Sequence, residues 1–250
     1  MAYAELTMRS TILKMDVKVS VIIPESRKDY HLDMNDKKYK SIYVLHGGAE
    51  DNSTWLVLSN IYLLARDLDC FVIMPSAYNS SWVNTEYGLK MQDYISEELI
   101  AKMERLFPIS SKREDRFIMG ESMGGYGSWY TSLLHPEKYS KVAVLSGCGY
   151  VMGPGPVGLN TGAENLDKLA LERNNSEVEM PEYYCMCGNE DPRVDDRRRF
   201  EKFISDNCPR IKMTTEYWSG KHDFYFWDTA IPKALKFFGF NKDEEKTSHI

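Results

Sequence analysis

The sequence predicts an α/β domain: a mostly parallel sheet with helices on both faces. Three observations predict it. Strand-like runs and helix-like runs alternate almost to the end of the chain. The central strand-like runs are apolar throughout, as strands buried on both faces are. Finally, 250 residues fit one large domain with a substantial core better than two small ones.

Taken in order, Lys18–Ile23 reads as a strand stopped by Pro24. Ser41–Leu45 and Cys70–Met74 are apolar, β-branched runs bounded by turn residues. From Tyr94 to Phe107, residues Ile95, Leu99, Ile100, Met103 and Leu106 fall at helical spacing, and Pro108 ends the run. Arg116–Met119 reads as a strand and Met123–Leu134 as a helix that ends near His135-Pro136. Further strands are expected at Lys141–Leu145, Tyr183–Cys187 and Met213–Trp218, with helices at Phe200–Asn207 and Thr229–Phe238. Asp228 is expected to cap the last of these helices.

Residues 150–180 break the rhythm. They form an insertion before the strand at Tyr183, glycine- and proline-rich at first, with an amphipathic piece around Leu166, Leu169 and Leu171. A small cap and a long surface connection are both compatible with it. The tail from Asn241 to Ile250 is charged, and fraying is expected there.

Charge and cysteine usage narrow the functional classes. A net charge of −6 with mixed signs argues against nucleic-acid binding. The one basic cluster, Arg197-Arg198-Arg199, is interleaved with Asp195, Asp196 and Glu201, so it reads as a solvated helix face. No apolar stretch approaches the roughly 20 residues of a membrane span. The start, Met1–Glu5, lacks the basic and apolar regions of an export signal. The five cysteines, at 70, 148, 185, 187 and 208, are odd in number and irregular in spacing. That pattern predicts reduced thiols in a cytoplasmic protein. Cys185 and Cys187 share a strand face, but no cluster completes a metal set around them, and they read as small buried hydrophobes.

Gly120-Glu121-Ser122-Met123-Gly124 spells G-x-S-x-G between the strand at Arg116 and the helix at Met123. Such a strand-to-helix turn is sharp and holds its serine in a strained backbone conformation. Glycines at 120 and 124 allow strand and helix to approach closely enough to form it.

A serine hydroxyl needs a base to take its proton and an acid to orient that base. The chain order for this turn is Ser, then acid, then His. His31, His46 and His135 lie on the wrong side of the acid position, and His249 lies in the tail. His222 is left, in a turn after the last strand. The acid should follow the strand at Tyr183, where Gly188-Asn189-Glu190-Asp191-Pro192 stands. Asp191, before a proline that helps fix the turn, is the first candidate; Glu190 is its rival, with Asp195 or Asp196 next. Acyl transfer also needs two N–H donors for the developing oxyanion. Met123 supplies one at a helix N-terminus, and Gly48 supplies the other in the loop His46-Gly47-Gly48-Ala49. His46 itself reads as structural.

These residues resemble the esterase D group of α/β-hydrolases. The likeness rests on Leu45-His46-Gly47-Gly48 with Trp55, on Gly120 to Gly127, on Cys187-Gly188-Asn189-Glu190-Asp191, and on His222-Asp223 with Phe226-Trp227-Asp228. That group includes bacterial tributyrin and acetyl esterases, feruloyl esterases and S-formylglutathione hydrolases. The stretches Ser10 to Pro24 and Met74 to Gly88 place the chain nearest the tributyrin-esterase branch. The resemblance implies an α/β-hydrolase fold, a triad of Ser122, Asp191 and His222, and an oxyanion site at Gly48 and Met123.

The function expected is a serine carboxylesterase that cleaves short-chain acyl esters and calls for no cofactor or metal. Trp55, Trp82, Tyr87 and Tyr126 lie near the expected site and are candidates to line its pocket, packing beneath loops being the alternative. Feruloyl, carbohydrate-acetyl and thioester substrates stay open, as do acyl transfer to an alcohol and homo-oligomerisation.

Overall fold

The apolar runs become one sheet. The computed structural model describes residues 1–25, 37–66, 68–85, 88–150 and 163–240. Among them the strands are β1 (Ala2–Ser10), β2 (Met15–Ile23), β3 (Lys40–Leu45), β4 (Cys70–Pro75), β5 (Arg116–Glu121), β6 (Lys141–Leu145), β7 (Glu182–Gly188) and β8 (Met213–Trp218). They pair in the order β1-β2-β4-β3-β5-β6-β7-β8. From β4 to β8 the ladder is parallel, while β1 and β2 join it antiparallel at one edge.

Each central strand sends alternate side chains to opposite faces. Tyr43, Leu45, Ile118, Val142 and Val144 enter one core, and Ile42, Val44, Phe117, Met119 and Ala143 the other. The first core is closed by α4 (Leu99–Leu106), α5 (Met123–Leu134) and α7 (Val194–Asn207), whose Leu99, Met103, Trp129, Phe200 and Ile204 are fully buried. The second lies under α1 (Thr54–Leu58), α2 (Ile61–Ala65) and α8 (Phe224–Phe237), through Trp55, Ile61, Ala65, Ala230 and Ala234. The expected parallel sheet with both faces covered is therefore found.

Several boundaries differ from expectation. β1 was not anticipated, although its alternate exposure from Ala2 to Arg9 follows the period of a one-sided edge strand. The helix expected from Tyr94 begins earlier, with α3 (Met91–Asp93), and passes through a π-helical segment at Tyr94–Glu98 before α4. Asp228 does not cap α8. Asp223 does, accepting from Phe226 N at 3.1 Å, while Asp228 accepts from Asn60 N at 2.6 Å and fastens α8 to the start of α2.

The insertion is described in part. Residues 151–162 lie outside the described set, and with them the question of a cap. The amphipathic piece forms α6 (Asp167–Asn174), which packs on α5 and α7 with Leu166 and Ala170 buried. No helix among the described residues is long and apolar enough to cross a membrane.

Candidate active site

The carboxyl ends of four strands supply the site, as is usual in open parallel sheets. β3 runs into Gly47-Gly48, β5 into Ser122, β7 into Asp191 and β8 into His222. The parallel register sets Leu45 beside Gly120 and Gly188 beside Trp218, so the loops that follow emerge as neighbours.

Ser122 sits between β5 and α5 with φ 51° and ψ −114°, a conformation that costs an L-residue of order 1–3 kcal/mol. The turn persists because the two flanking glycines let three segments close on it. A Cβ at Gly124 would lie 2.2 Å from the Leu45 carbonyl oxygen, and one at Gly120 would lie 2.4 Å from that of Gly124.

His222 Nε2 lies 2.8 Å from Ser122 Oγ, and its Nδ1 lies 2.7 Å from Asp191 Oδ2. An ionised carboxylate only accepts, so Nδ1 carries the proton in the neutral ring and Nε2 is left to accept from the serine. The edge of the His222 ring meets Trp227 with centroids 5.1 Å apart. Asp191 is buried and also accepts from Arg193 N at 2.9 Å. Burial alone would raise its carboxyl; the hydrogen bond from His222 and the charge of Arg197 outweigh that and hold it well below the usual carboxylate range.

Arg197 is the main residue that the sequence placed wrongly. It was expected on a solvated face with Arg198 and Arg199, yet it is only 1% exposed. Its guanidinium lies 3.7 Å from Asp191, its Nε donates to Gly147 O at 2.7 Å, and its other nitrogens reach Ser146 O and Cys187 Sγ. Spacing carried a signal for this: Arg197 falls three and seven residues before the buried Phe200 and Ile204. Arg198 and Arg199 are exposed, as expected.

The rival acids have other partners. Glu190 accepts from Gly220 N and from Ser219 Oγ at 3.3 Å, which clasps the histidine loop. Asp195 and Asp196 pair with arginines on their own helix.

The loop after β3 is held on either side of Gly48. Gly47 N donates to Glu50 at 3.0 Å and Ala49 N to Asn79 Oδ1 at 2.6 Å. Gly48 itself is exposed, and the nearest atom to a Cβ there would be 4.0 Å away. Met123 N is the first amide of α5 and precedes the carbonyls of its own helix. His46 is structural, as expected. Its Nε2 accepts from Ala77 N at 2.9 Å, and its Nδ1 donates to Gly47 O at 2.7 Å.

The aromatic candidates lie beneath the loops. Trp55 and Trp82 are 1% and 0% exposed, and their indoles donate at 3.2 Å to Leu45 O and His46 O. They brace the loop that carries Gly48, which corrects their expected place in the pocket wall: a side chain with no accessible surface offers no face to a substrate. Tyr126 is also largely buried, donating to Glu164 O at 2.9 Å and stacking on Tyr130. Tyr87 lies outside the described residues. Phe224 packs edge-on against Trp55 and Trp227.

Comparison with known proteins decides the family. The family model described as "Putative esterase" matches residues 10–238. The chain belongs to this esterase family. The esterase is similar to an acetyl esterase of Caldicellulosiruptor saccharolyticus, 25% identical over 94% of this chain and 97% of that protein. Among solved structures it resembles FphF, a fluorophosphonate-binding serine hydrolase of Staphylococcus aureus, with TM-score 0.83 and 28% identity over 96% of this chain and 99% of the other. An S-formylglutathione hydrolase (FrmB) of the same organism gives TM-score 0.80 and 28% identity over 95% and 98%. The fold is therefore the α/β-hydrolase fold, and the chain is a serine-type carboxylic ester hydrolase.

Proposed function

We propose that this esterase hydrolyses short-chain acyl esters through an acyl-enzyme formed on Ser122. His222 takes the serine proton through Nε2 as Oγ attacks the ester carbonyl, then gives it to the departing alcohol. Asp191 holds the ring in the tautomer with Nδ1 protonated and stabilises the imidazolium that forms. The N–H groups of Gly48 and Met123 receive the negative oxygen of the tetrahedral intermediate, each worth of order 3 kcal/mol of barrier. Water, deprotonated in turn by His222, releases the acid and restores the serine.

The observation that carries this reading is the unbroken line from Asp191 Oδ2 through His222 to Ser122 Oγ, with contacts of 2.7 and 2.8 Å. The short acyl group is supported by the likeness to an acetyl esterase. A thioester substrate is the second reading, favoured by the likeness to S-formylglutathione hydrolase. A reducing, cytoplasmic setting fits the five cysteines, all buried and unpaired. Rates on acetyl, butyryl, octanoyl and feruloyl esters and on an acyl thioester test the assignment. The expected order puts acetyl and butyryl esters first in kcat/KM; a clear preference for the thioester or the feruloyl ester overturns it.

A further inference from the structure

The second residue of the G-x-S-x-G turn has no part in the chemistry above, yet it is placed unusually. Glu121, at the end of β5, is 0% exposed, and neither carboxyl oxygen has a hydrogen-bond partner among the described residues. Its carboxyl lies against the backbone of the loop after β3: a Cβ at Gly47 would be 2.5 Å from both of its oxygens. The same Gly47 donates its N–H to Glu50 Oε2 at 3.0 Å, and Glu50 is the charged side chain acting on Glu121. Two acids thus meet at Gly47, one residue before the candidate oxyanion donor Gly48 and one before the nucleophile.

From this placement we infer that Glu121 and Glu50 share one proton, and that the shared proton holds the Gly47-Gly48 loop in register with the Ser122 turn. A carboxyl buried from water beside a second carboxylate does not readily ionise. Burial first, and the charge of Glu50 second, push the Glu121 carboxyl well up, so Glu121 keeps the proton. Its hydroxyl is then a donor toward the Glu50 carboxylate, which still accepts from Gly47 N–H, and an O–H to carboxylate bond is among the stronger kinds.

The other groups around the pair leave this balance alone. His46, on the same loop, is neutral with both ring nitrogens engaged. Leu45 and Leu145 flank the end of β5, and Gly124 faces it from α5. Asp51, next to Glu50, is bound to Ser53 N at 2.7 Å. When the proton leaves at high pH, two anions face each other across Gly47. Glu50 is half-buried and can move toward water, and the Gly47 N–H then loses its acceptor. Glu121 is therefore a positioning residue, acting on the oxyanion site through the loop.

This inference rests on the acyl-serine reading, and its test separates the two. The pH dependence of kcat and KM on a short ester is measured for the wild type, Glu121→Gln and Glu50→Gln, each checked for folding by thermal melt. In parallel, a serine-reactive phosphonate is used near pH 7 to label Ser122. The expected wild type loses kcat, with KM little changed, along an alkaline limb. Glu121→Gln keeps a permanent N–H donor to Glu50 and lacks that limb, though it is slower near neutrality. Glu50→Gln removes the opposing charge that holds the Glu121 carboxyl up, and moves the limb down by about one pH unit or more. A limb unchanged in the folded variants overturns the inference, and so does a wild type with no alkaline limb. Should Glu121→Gln fail to fold, Glu50→Gln decides by the same criterion. Normal labelling of Ser122 with an unmoved limb rejects the shared proton alone, whereas no labelling in the wild type removes the acyl-serine reading and this inference with it.

Discussion

The guanidinium of Arg197 stands 3.7 Å from Oδ2 of Asp191, and neither side chain reaches solvent. The carboxylate that orients His222 is thus neutralised from behind by a cation that also binds the carbonyls of Ser146 and Gly147. Those carbonyls belong to the turn after β6, which touches α5: a Cβ at Gly147 would be 2.5 Å from Gly125 Cα.

Removing Arg197 leaves a buried carboxylate uncompensated. Breaking such a pair costs roughly 3–5 kcal/mol. Arg197→Met should show that loss as a lower urea midpoint. Arg197→Lys keeps the charge without the planar fork and should fall between the two. An unchanged urea midpoint in Arg197→Met would contradict the buried pair.

Two glycines of the site should behave oppositely. Gly124→Ala places a methyl 2.2 Å from the Leu45 carbonyl oxygen, whereas Gly48→Ala meets nothing nearer than 4.0 Å. Overpacking typically costs 1–3 kcal/mol, and this clash is with backbone, so Gly124→Ala should lose about 3 kcal/mol or fail to fold. Gly48→Ala should stay within about 0.5 kcal/mol of the wild type. Thermal melts of the two proteins check this, and comparable losses would contradict the geometry of the turn.

Acid should weaken the loop through His46. Burial pulls its pKa down from 6.5 to about 4, against smaller opposing effects from the Gly47 carbonyl and Asp51. The unfolded chain therefore binds the proton first. The stability that the neutral ring contributes is complete above about pH 6.5 and is lost as pH falls toward 4, by up to about 3 kcal/mol. Urea unfolding at pH 7, 6, 5 and 4 should show a drop that His46→Gln lacks in large part. Parallel curves for the two proteins would contradict it.

How much of this was legible in sequence depends on the kind of signal. The central strands and the meeting of Ser122, Asp191 and His222 were, because buried parallel strands and a sharp turn leave local marks such as Ser41–Leu45 and Gly120–Gly124. Burial that depends on distant partners was not. Arg197 looks like Arg198 until the turn after β6 closes over it, and Trp82 looks like a pocket residue until its indole finds the His46 carbonyl. The start of α8 was misread as well: the helix was expected from Thr229 with Asp228 as its cap, whereas it starts at Phe224 under Asp223, and Asp228 binds Asn60 instead. Glu121, one residue from the serine, carried no sign of the carboxyl facing it.

The central claim is that Ser122 is the nucleophile and His222 its base, and covalent labelling tests it most directly. Intact-mass analysis after treatment with a fluorophosphonate, followed by peptide mapping, should give one adduct per chain, on Ser122. Ser122→Ala should take up none, and His222→Ala should label at least about a hundredfold more slowly, as expected for loss of the general base. Stoichiometric labelling of another residue, or none in the wild type, would contradict the account.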